Sequence, residues 1–237
     1  MALLLNIETS TAICSVALGK DGNLLALKEN KEGMKHASHL TVFIENILKE
    51  NNLSTADLDG VAISMGPGSY TGLRIGVSTA KGICYGAGIP LIAVSTLQSM
   101  TKALQNSSDL SSVAKNPEKA LFCPMIDARR MEVYTAFYNA KAELVKDISA
   151  DIIDENSFAN ELSEQEIIFF GDGSGKCKNV IANENGIFLD DVNATAVGMI
   201  ELAEDKFNKN ELEDVAYFEP FYLKDFVATT PKKNIFK

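Results

Sequence analysis

The chain opens with short apolar runs separated by polar turns. Residues 3–7 and 13–18 are apolar enough for buried strands, and Glu8-Thr9-Ser10-Thr11 lies between them. Asp21-Gly22 is a strong hairpin signal, and residues 24–27 supply a third strand. Three consecutive strands therefore read as an antiparallel meander. Over residues 36–50 the spacing becomes helical. Leu40, Phe43, Ile44, Ile47 and Leu48 share one face, and Asn51-Asn52 ends the segment. Ser54-Thr55-Ala56-Asp57 reads as the start of a short helical turn. Val61-Ala62-Ile63 predicts a buried strand, residues 72–85 a helix and residues 89–94 another strand. Residues 96–105 predict a further helix, capped at Ser95 or Thr96.

Residues 106–119 are polar, rich in Ser and Asn, and contain Pro117, which makes them the candidate boundary between lobes 1–105 and 106–237. Strands follow at 120–126, 132–138 and 143–148. A helix begins within 157–162, and 166–170 is a strand. The glycine-rich stretch 171–175 leads into an expected helix over 176–183, a short strand at 187–189 and a long helix over 194–209. The tail from 216 to 237 is aromatic-rich and irregular. The order βββαβα thus occurs twice, as architecture and not as sequence identity. Two such units side by side with a cleft between them form the duplicated α/β core of the actin, hsp70 and sugar-kinase fold, an inference by topological analogy.

Composition narrows the classes. With 46% hydrophobic residues in 237, a substantial core is expected. Twenty-two basic against 32 acidic residues give a formal charge of −10. Such a chain repels phosphate backbones, so nucleic acid is expected to be held through a partner. Cys14, Cys84, Cys123 and Cys177 form no C-x-x-C and read as reduced, buried thiols of a cytoplasmic protein. The first residues lack a basic leader region, and no apolar run is long enough to span a membrane.

The stretch at 64–76, with Gly66, Pro67, Gly68, Ser69, Thr71 and Gly72 between strand and helix, fits either an anion site at a helix N-terminus or a tight turn. It matches neither the dinucleotide nor the P-loop fingerprint, and the tight turn is favoured. Glu8, Thr9 and Ser10 either hold a metal and phosphate, as in the fold named above, or cap a hairpin. Gly171 and Gly173 lie where adenosine would sit in such a fold, or form a plain connection. His36 and His39 are the only histidines. They read as a solvated helix start, and no zinc or iron site is expected. A hydrolase built on Ser64 or Ser69 lacks the G-x-S-x-G elbow. The helix over 72–86 carries Gly72, Gly76 and Ala80 in a small-residue stripe and is apolar nearly all round, with Leu73, Val77, Ile83 and Tyr85 on its other faces. One side is expected on its own sheet, and the other against the helix at 36–50, a partner subunit, or both.

LLNIETS at 4–10, SMGPGSYTGLRIGVSTAKG at 64–82, IPLIAVSTL at 89–97, PMIDARRMEVY at 124–134 and PFYLK at 220–224 resemble the bacterial TsaB (YeaZ) family. The strong part of the resemblance spans about residues 1–138. It implies the actin and hsp70 class of fold and a role in making threonylcarbamoyladenosine in tRNA, beside the anticodon. It further implies a non-catalytic subunit that pairs with the paralogue TsaD, which holds the metal and transfers the group, with the ATPase TsaE joining the pair. The TsaD pattern Val-Asn-His-x-x-x-His corresponds here to residues 94–100, with Thr96 and Met100 in the histidine places. Neither side chain replaces an imidazole at a metal. The resemblance puts the partner surface on the helices at 36–50 and 72–86, so Leu40, Phe43, Ile47, Gly72, Arg74, Gly76, Ala80 and Ile83 are the expected contacts. Arg74 would meet a carboxylate or an interfacial ATP or ADP there. The expected partners are TsaD and TsaE, with tRNA reached only through the complex and a homodimer through the same helices as an option. The rival expectation is an ATP-dependent transferase or kinase acting in its own cleft through Glu8, the 66–71 turn and the 171–175 loop.

Overall fold

The structure, a computed structural model, describes residues 2–30, 33, 36–107 and 110–224. The meander is β1 (Leu3–Glu8), β2 (Cys14–Lys20) and β3 (Asn23–Asn30), followed by α1 (His36–Glu50), β4 (Gly60–Gly66), α2 (Tyr70–Ala87), β5 (Leu91–Ser95) and α3 (Thr96–Ser107). The second half supplies β6 (Leu121–Asp127), β7 (Glu132–Tyr138), β8 (Leu144–Ile152), α4 (Ala159–Glu164), β9 (Ile167–Phe170), β10 (Gly186–Phe188) and α5 (Ile200–Asn208). One sheet has the order β3-β2-β1-β4-β5 and the other β8-β7-β6-β9-β10, so the two follow one plan. In each, the three meander strands are antiparallel and the next two strands join in parallel. This is the duplicated α/β architecture that the repeated element order predicts.

Local chemistry accounts for the elements. Asp21 and Gly22 take left-handed backbone at φ 51° and 72°, which closes the β2–β3 hairpin. Ser54 and Asp57 bond reciprocally around the short turn at Thr55–Asp57. α2 is capped by Ser69, whose Oγ accepts from Gly72 N at 3.3 Å, and ends at left-handed Gly88. β1 buries both faces: Leu5 and Ile7 lie under α1 and α2, while Leu4 meets Ala203 and Met199 from the end of the chain.

The expected division at 105/106 does not follow the cores. α3 comes from the first half, yet Leu97, Met100 and Leu104 pack with Phe122, Ile126 and Phe170 of the second sheet. α5 comes from the second half, yet Ala203 and Leu202 cover Leu4, Ala62 and Ile92 of the first. Each sheet needs a helix from the other half to bury its second face. Two expected helices also change. Residues 176–180 form successive turns and 181–183 are irregular, while 194–209 contains a 3-10 turn at Ala196–Met199 followed by α5.

The tail is a strap over the first lobe. Phe218 is buried in the core under α1 and α2. Lys81 Nζ donates to Ala216 O at 3.0 Å and to Phe218 O at 3.1 Å, and Phe221 N donates to Met65 O at 2.7 Å. Lys224 then pairs with Glu132 of the second lobe. The remainder of the expected irregular tail, 225–237, lies outside the described residues.

Candidate functional site

The glycine block is seated on the turn after β1. A Cβ on Gly68 would strike Ser10 O, one on Gly72 would strike Thr9 O, and one on Gly76 would strike Thr9 Oγ1. Ser69 N donates to Ser10 O at 2.6 Å, and Thr9 Oγ1 donates to Gly72 O at 2.9 Å. The glycines therefore permit two backbones to touch. At the other end of the block Gly66, at φ 106°, is closed by Phe221 O, 2.9 Å from where its Cβ would be. Of the two readings open from the sequence, tight packing fits this geometry.

The residues expected to hold nucleotide are covered accordingly. Glu8, Thr9 and Ser10 have no exposed surface. Glu8 Oε1 accepts from Ser10 N at 2.7 Å, and its Oε2 has no partner. Burial raises the Glu8 carboxyl above its ordinary value, against the opposing pull of the Ser10 hydrogen bonds. Ser69 is half-buried and Thr71 exposed, but the turn they flank is filled by the chain itself. In the second lobe Gly171, at φ 104°, is pressed on Met125 O, and Gly173 N donates to Met125 O at 3.0 Å. At Gly171 and Gly173 this loop is fastened to the end of β6.

The partner surface also needs correction. Leu40, Ile47, Gly72, Gly76 and Ala80 are buried in their own lobe. The stripe of small residues read as a docking face runs inward, on the 8–11 turn and Ile63. Phe43 and Ile83 are half-buried, and Arg74 is exposed. Arg74 is held within the chain, 4.3 Å over the Tyr70 ring and 3.3 Å from Tyr222 Oη. The outward face of α1 and α2 carries Val42 (46% exposed) and Tyr85 (86% exposed). Ser78, Gly82 and Gly86, spaced by four, form a second small stripe on this side, and a Cβ on Gly82 or Gly86 would meet nothing within 4 Å. Between the helices lies a groove of about 500 Å3, lined by Thr41, Ile44, Leu48, Thr79 and Ile83 among others. The spacing of small residues alone does not say which stripe faces out.

His36 is likewise not solvated. It is 5% exposed, its Nε2–H donates to Thr11 O at 2.8 Å, and Nδ1 has no partner. Burial lowers its pKa, so the ring stays neutral. Thr96 and Met100 have 0% and 1% exposure, and Met100 Cε lies 2.7 Å from where a Cβ on Gly171 would be. Among the described residues, no group of three or more His, Cys, Asp and Glu is placed to hold a metal ion. All four cysteines are buried free thiols, with Cys14 and Cys84 pushed by burial up to about 11. Among the described residues no helix is long and apolar enough to cross a membrane.

Arg129 and Arg130, between β6 and β7, take consecutive left-handed conformations at φ 70° and 52°. For a non-glycine residue this costs roughly 1–2 kcal/mol each. The signal was present in the sequence: two arginines stand where a tight hairpin favours Asn or Gly.

The family described as "TsaD: tRNA N6-adenosine threonylcarbamoyltransferase" matches residues 30–232. The "tRNA threonylcarbamoyladenosine biosynthesis protein TsaB" of Escherichia coli (strain K12) is 30% identical, over 95% of this chain and 96% of its own length. The chain belongs to the TsaB (YeaZ) family. The TsaB of Haemophilus influenzae is 28% identical over 95% of this chain and 94% of its own. The structure titled "YeaZ from Pseudomonas aeruginosa" superposes with a TM-score of 0.73 at 24% identity, over 94% of this chain and 100% of that one. A second structure from that organism, titled as an uncharacterized protein with similarity to peptidase YEAZ, reaches a TM-score of 0.79 at 23% identity over the same shares. For the TsaB family the two-lobed α/β fold described above is therefore shared along nearly the whole chain.

Proposed function

We propose that this chain is a non-catalytic subunit for threonylcarbamoylation of the tRNA adenosine beside the anticodon, acting by pairing with TsaD and activating it. TsaE joins the pair, and tRNA is engaged by the assembled complex. The observation that carries this reading is the state of Thr96 and Met100. Where the TsaD pattern has histidines, this chain has a buried hydroxyl and a thioether, and Met100 is packed into the second core. The family membership supplies the reaction, and the covered turn at Glu8–Ser10 argues against an independent nucleotide chemistry in this chain.

The pairing surface we assign is the outward face of α1 and α2, centred on Val42, Ser78, Gly82 and Tyr85, in place of the inward stripe. An exposed aromatic and an open glycine pair beside an apolar groove fit a helix or strap from another subunit. Without TsaD the same face is available to a second copy of the chain. Gly82→Glu and Tyr85→Asp test it, since neither side chain is buried in the monomer. Neither variant should melt below wild type, and both should lose coelution with TsaD. Undiminished coelution of both would remove this surface from the account. For the rival transferase reading, the chain alone would bind ATP at micromolar concentration; the present reading predicts no such binding.

A further inference from the structure

An arginine pair stands at the tip of the β6–β7 hairpin. Arg129 and Arg130 are exposed, and neither guanidinium has a hydrogen bond or ion pair among the described residues. The acidic groups at the base of the hairpin are already engaged. Asp127 Oδ1 accepts from Arg129 N at 3.0 Å and pairs with Lys176 Nζ, which also donates to Glu132 O at 2.7 Å. Glu132 pairs with Lys224, and Asp172 Oδ1 accepts from Asp127 N at 3.0 Å. Lys176 and Lys224, brought in from two distant segments, thus engage Asp127 and Glu132, and Asp172 is held by a backbone N–H, so none of these carboxylates is paired with an arginine side chain.

We propose that this hairpin tip contacts the phosphodiester backbone of RNA through Arg129 and Arg130. The proposal rests on the reading of the chain as a subunit of a tRNA-modifying complex and assigns it a direct contact with the substrate. Three observations point to it. Paired, planar guanidinium groups match phosphate oxygens better than any other side chain. The backbone holds them in a conformation that Gly adopts freely and Asn at lower cost, so arginine stands here at a local cost. The surface continues through aromatic rings, as RNA contacts favour and acidic peptides do not require. Lys224 Nζ lies 6.0 Å from the Tyr134 ring, and two residues back along the strap Tyr222 meets Tyr70 at a tilt of 43° with centroids 5.1 Å apart, Arg74 lying over Tyr70. On a chain of formal charge −10, such a local positive edge admits a polyanion in one orientation and repels it elsewhere. The acidic balance therefore limits RNA to this edge without excluding it.

The test is binding of an unmodified tRNA transcript to the complex of the full chain with TsaD, titrated between 50 and 200 mM salt. The comparison uses Arg129→Asn/Arg130→Asn and Arg129→Lys/Arg130→Lys. Losing two phosphate contacts should weaken binding roughly thirtyfold at 0.1 M salt and reduce the salt slope by about 2. The Asn variant should melt no lower than wild type and still coelute with TsaD, while the Lys variant keeps most of the affinity and slope. Equal affinity and slope for the Asn variant overturns the hairpin assignment alone. Loss of TsaD pairing in that variant overturns it too, by making the arginines a protein contact. A wild-type complex that does not form or does not bind tRNA overturns the functional reading itself.

Discussion

Substituting alanine for Gly76 and for Gly82, two glycines of one helix, should change stability in opposite directions. Alanine in an exposed helix interior is favoured over glycine by roughly 0.5–1 kcal/mol. At position 82 nothing lies within 4 Å of the added Cβ, so the whole gain is realised. At position 76 the same atom would collide with Thr9 Oγ1 and come within 3.0 Å of Ile63 Cδ1. Both neighbours have 0% exposure and lie in packed surroundings. Overpacking a core of this kind costs roughly 1–3 kcal/mol. Moving Thr9 also strains its 2.9 Å bond to Gly72 O, which is worth about 1 kcal/mol net. Subtracting the propensity gain, Gly76→Ala should destabilise by about 1–3 kcal/mol and Gly82→Ala should stabilise by about 0.5–1. For a chain of this length each kcal/mol moves the melting temperature by roughly 2–4 °C. Differential scanning calorimetry of the two variants decides the matter. Melting temperatures shifted the same way, or Gly76→Ala melting above wild type, would refute the inward orientation of the stripe. Gly76→Leu, a natural choice for disrupting a partner surface, should on this geometry fail to fold and report nothing about pairing.

Glu8 gives a pH dependence of defined sign. Its folded pKa is raised above the ordinary 4.5, so above pH 4.5 the unfolded chain releases a proton that the native state retains, and Glu8 contributes less stability as pH rises through its folded value. In urea titrations, Glu8→Gln should gain on wild type as pH is raised from 4.5 to 8; a constant or narrowing difference would contradict the buried, underpartnered carboxyl. Phe218→Ala should cost about 3 kcal/mol, because the ring completes the first core although it belongs to the tail; a loss under about 1 kcal/mol would mean the strap does not pack as described. Cys14 and Cys84, at about 11, should resist a thiol reagent at pH 8 in the native protein and react after denaturation; rapid native labelling would mean the lobe opens.

The parts of the fold set by local chemistry were legible beforehand. α1 has the expected bounds because it has one apolar face and a polar surround. Asp21-Gly22 made the hairpin its residue types demand. The failures share a different character. α2 is apolar nearly all round, so its period could not choose between the Gly72-Gly76-Ala80 stripe and the Ser78-Gly82-Gly86 stripe. That choice is made by the turn at Glu8–Thr11, more than sixty residues away in sequence. α3 and α5 are ordinary amphipathic helices, and an amphipathic face does not name the sheet it will cover. Residues 176–183 have apolar Cys177, Val180 and Ile181 at helical spacing, but Asn183 turns the chain by binding Asn185 N with its own side chain. Of the candidate site, the small-residue character of α2 was readable and its direction was not. The arginine pair at 129 and 130 is distinguished by its backbone angles, which residue types alone do not show.

The central claim, a subunit that enables TsaD without performing the chemistry, is tested most directly by reconstituting the modification. TsaD, TsaE, tRNA and threonylcarbamoyl-adenylate are combined with this chain, without it, and with Gly82→Glu; this chain is also incubated with the tRNA and the adenylate in the absence of TsaD. The account predicts threonylcarbamoyladenosine only in the complete wild-type mixture, with little in the Gly82→Glu mixture. Modified tRNA formed by this chain in the absence of TsaD would contradict it.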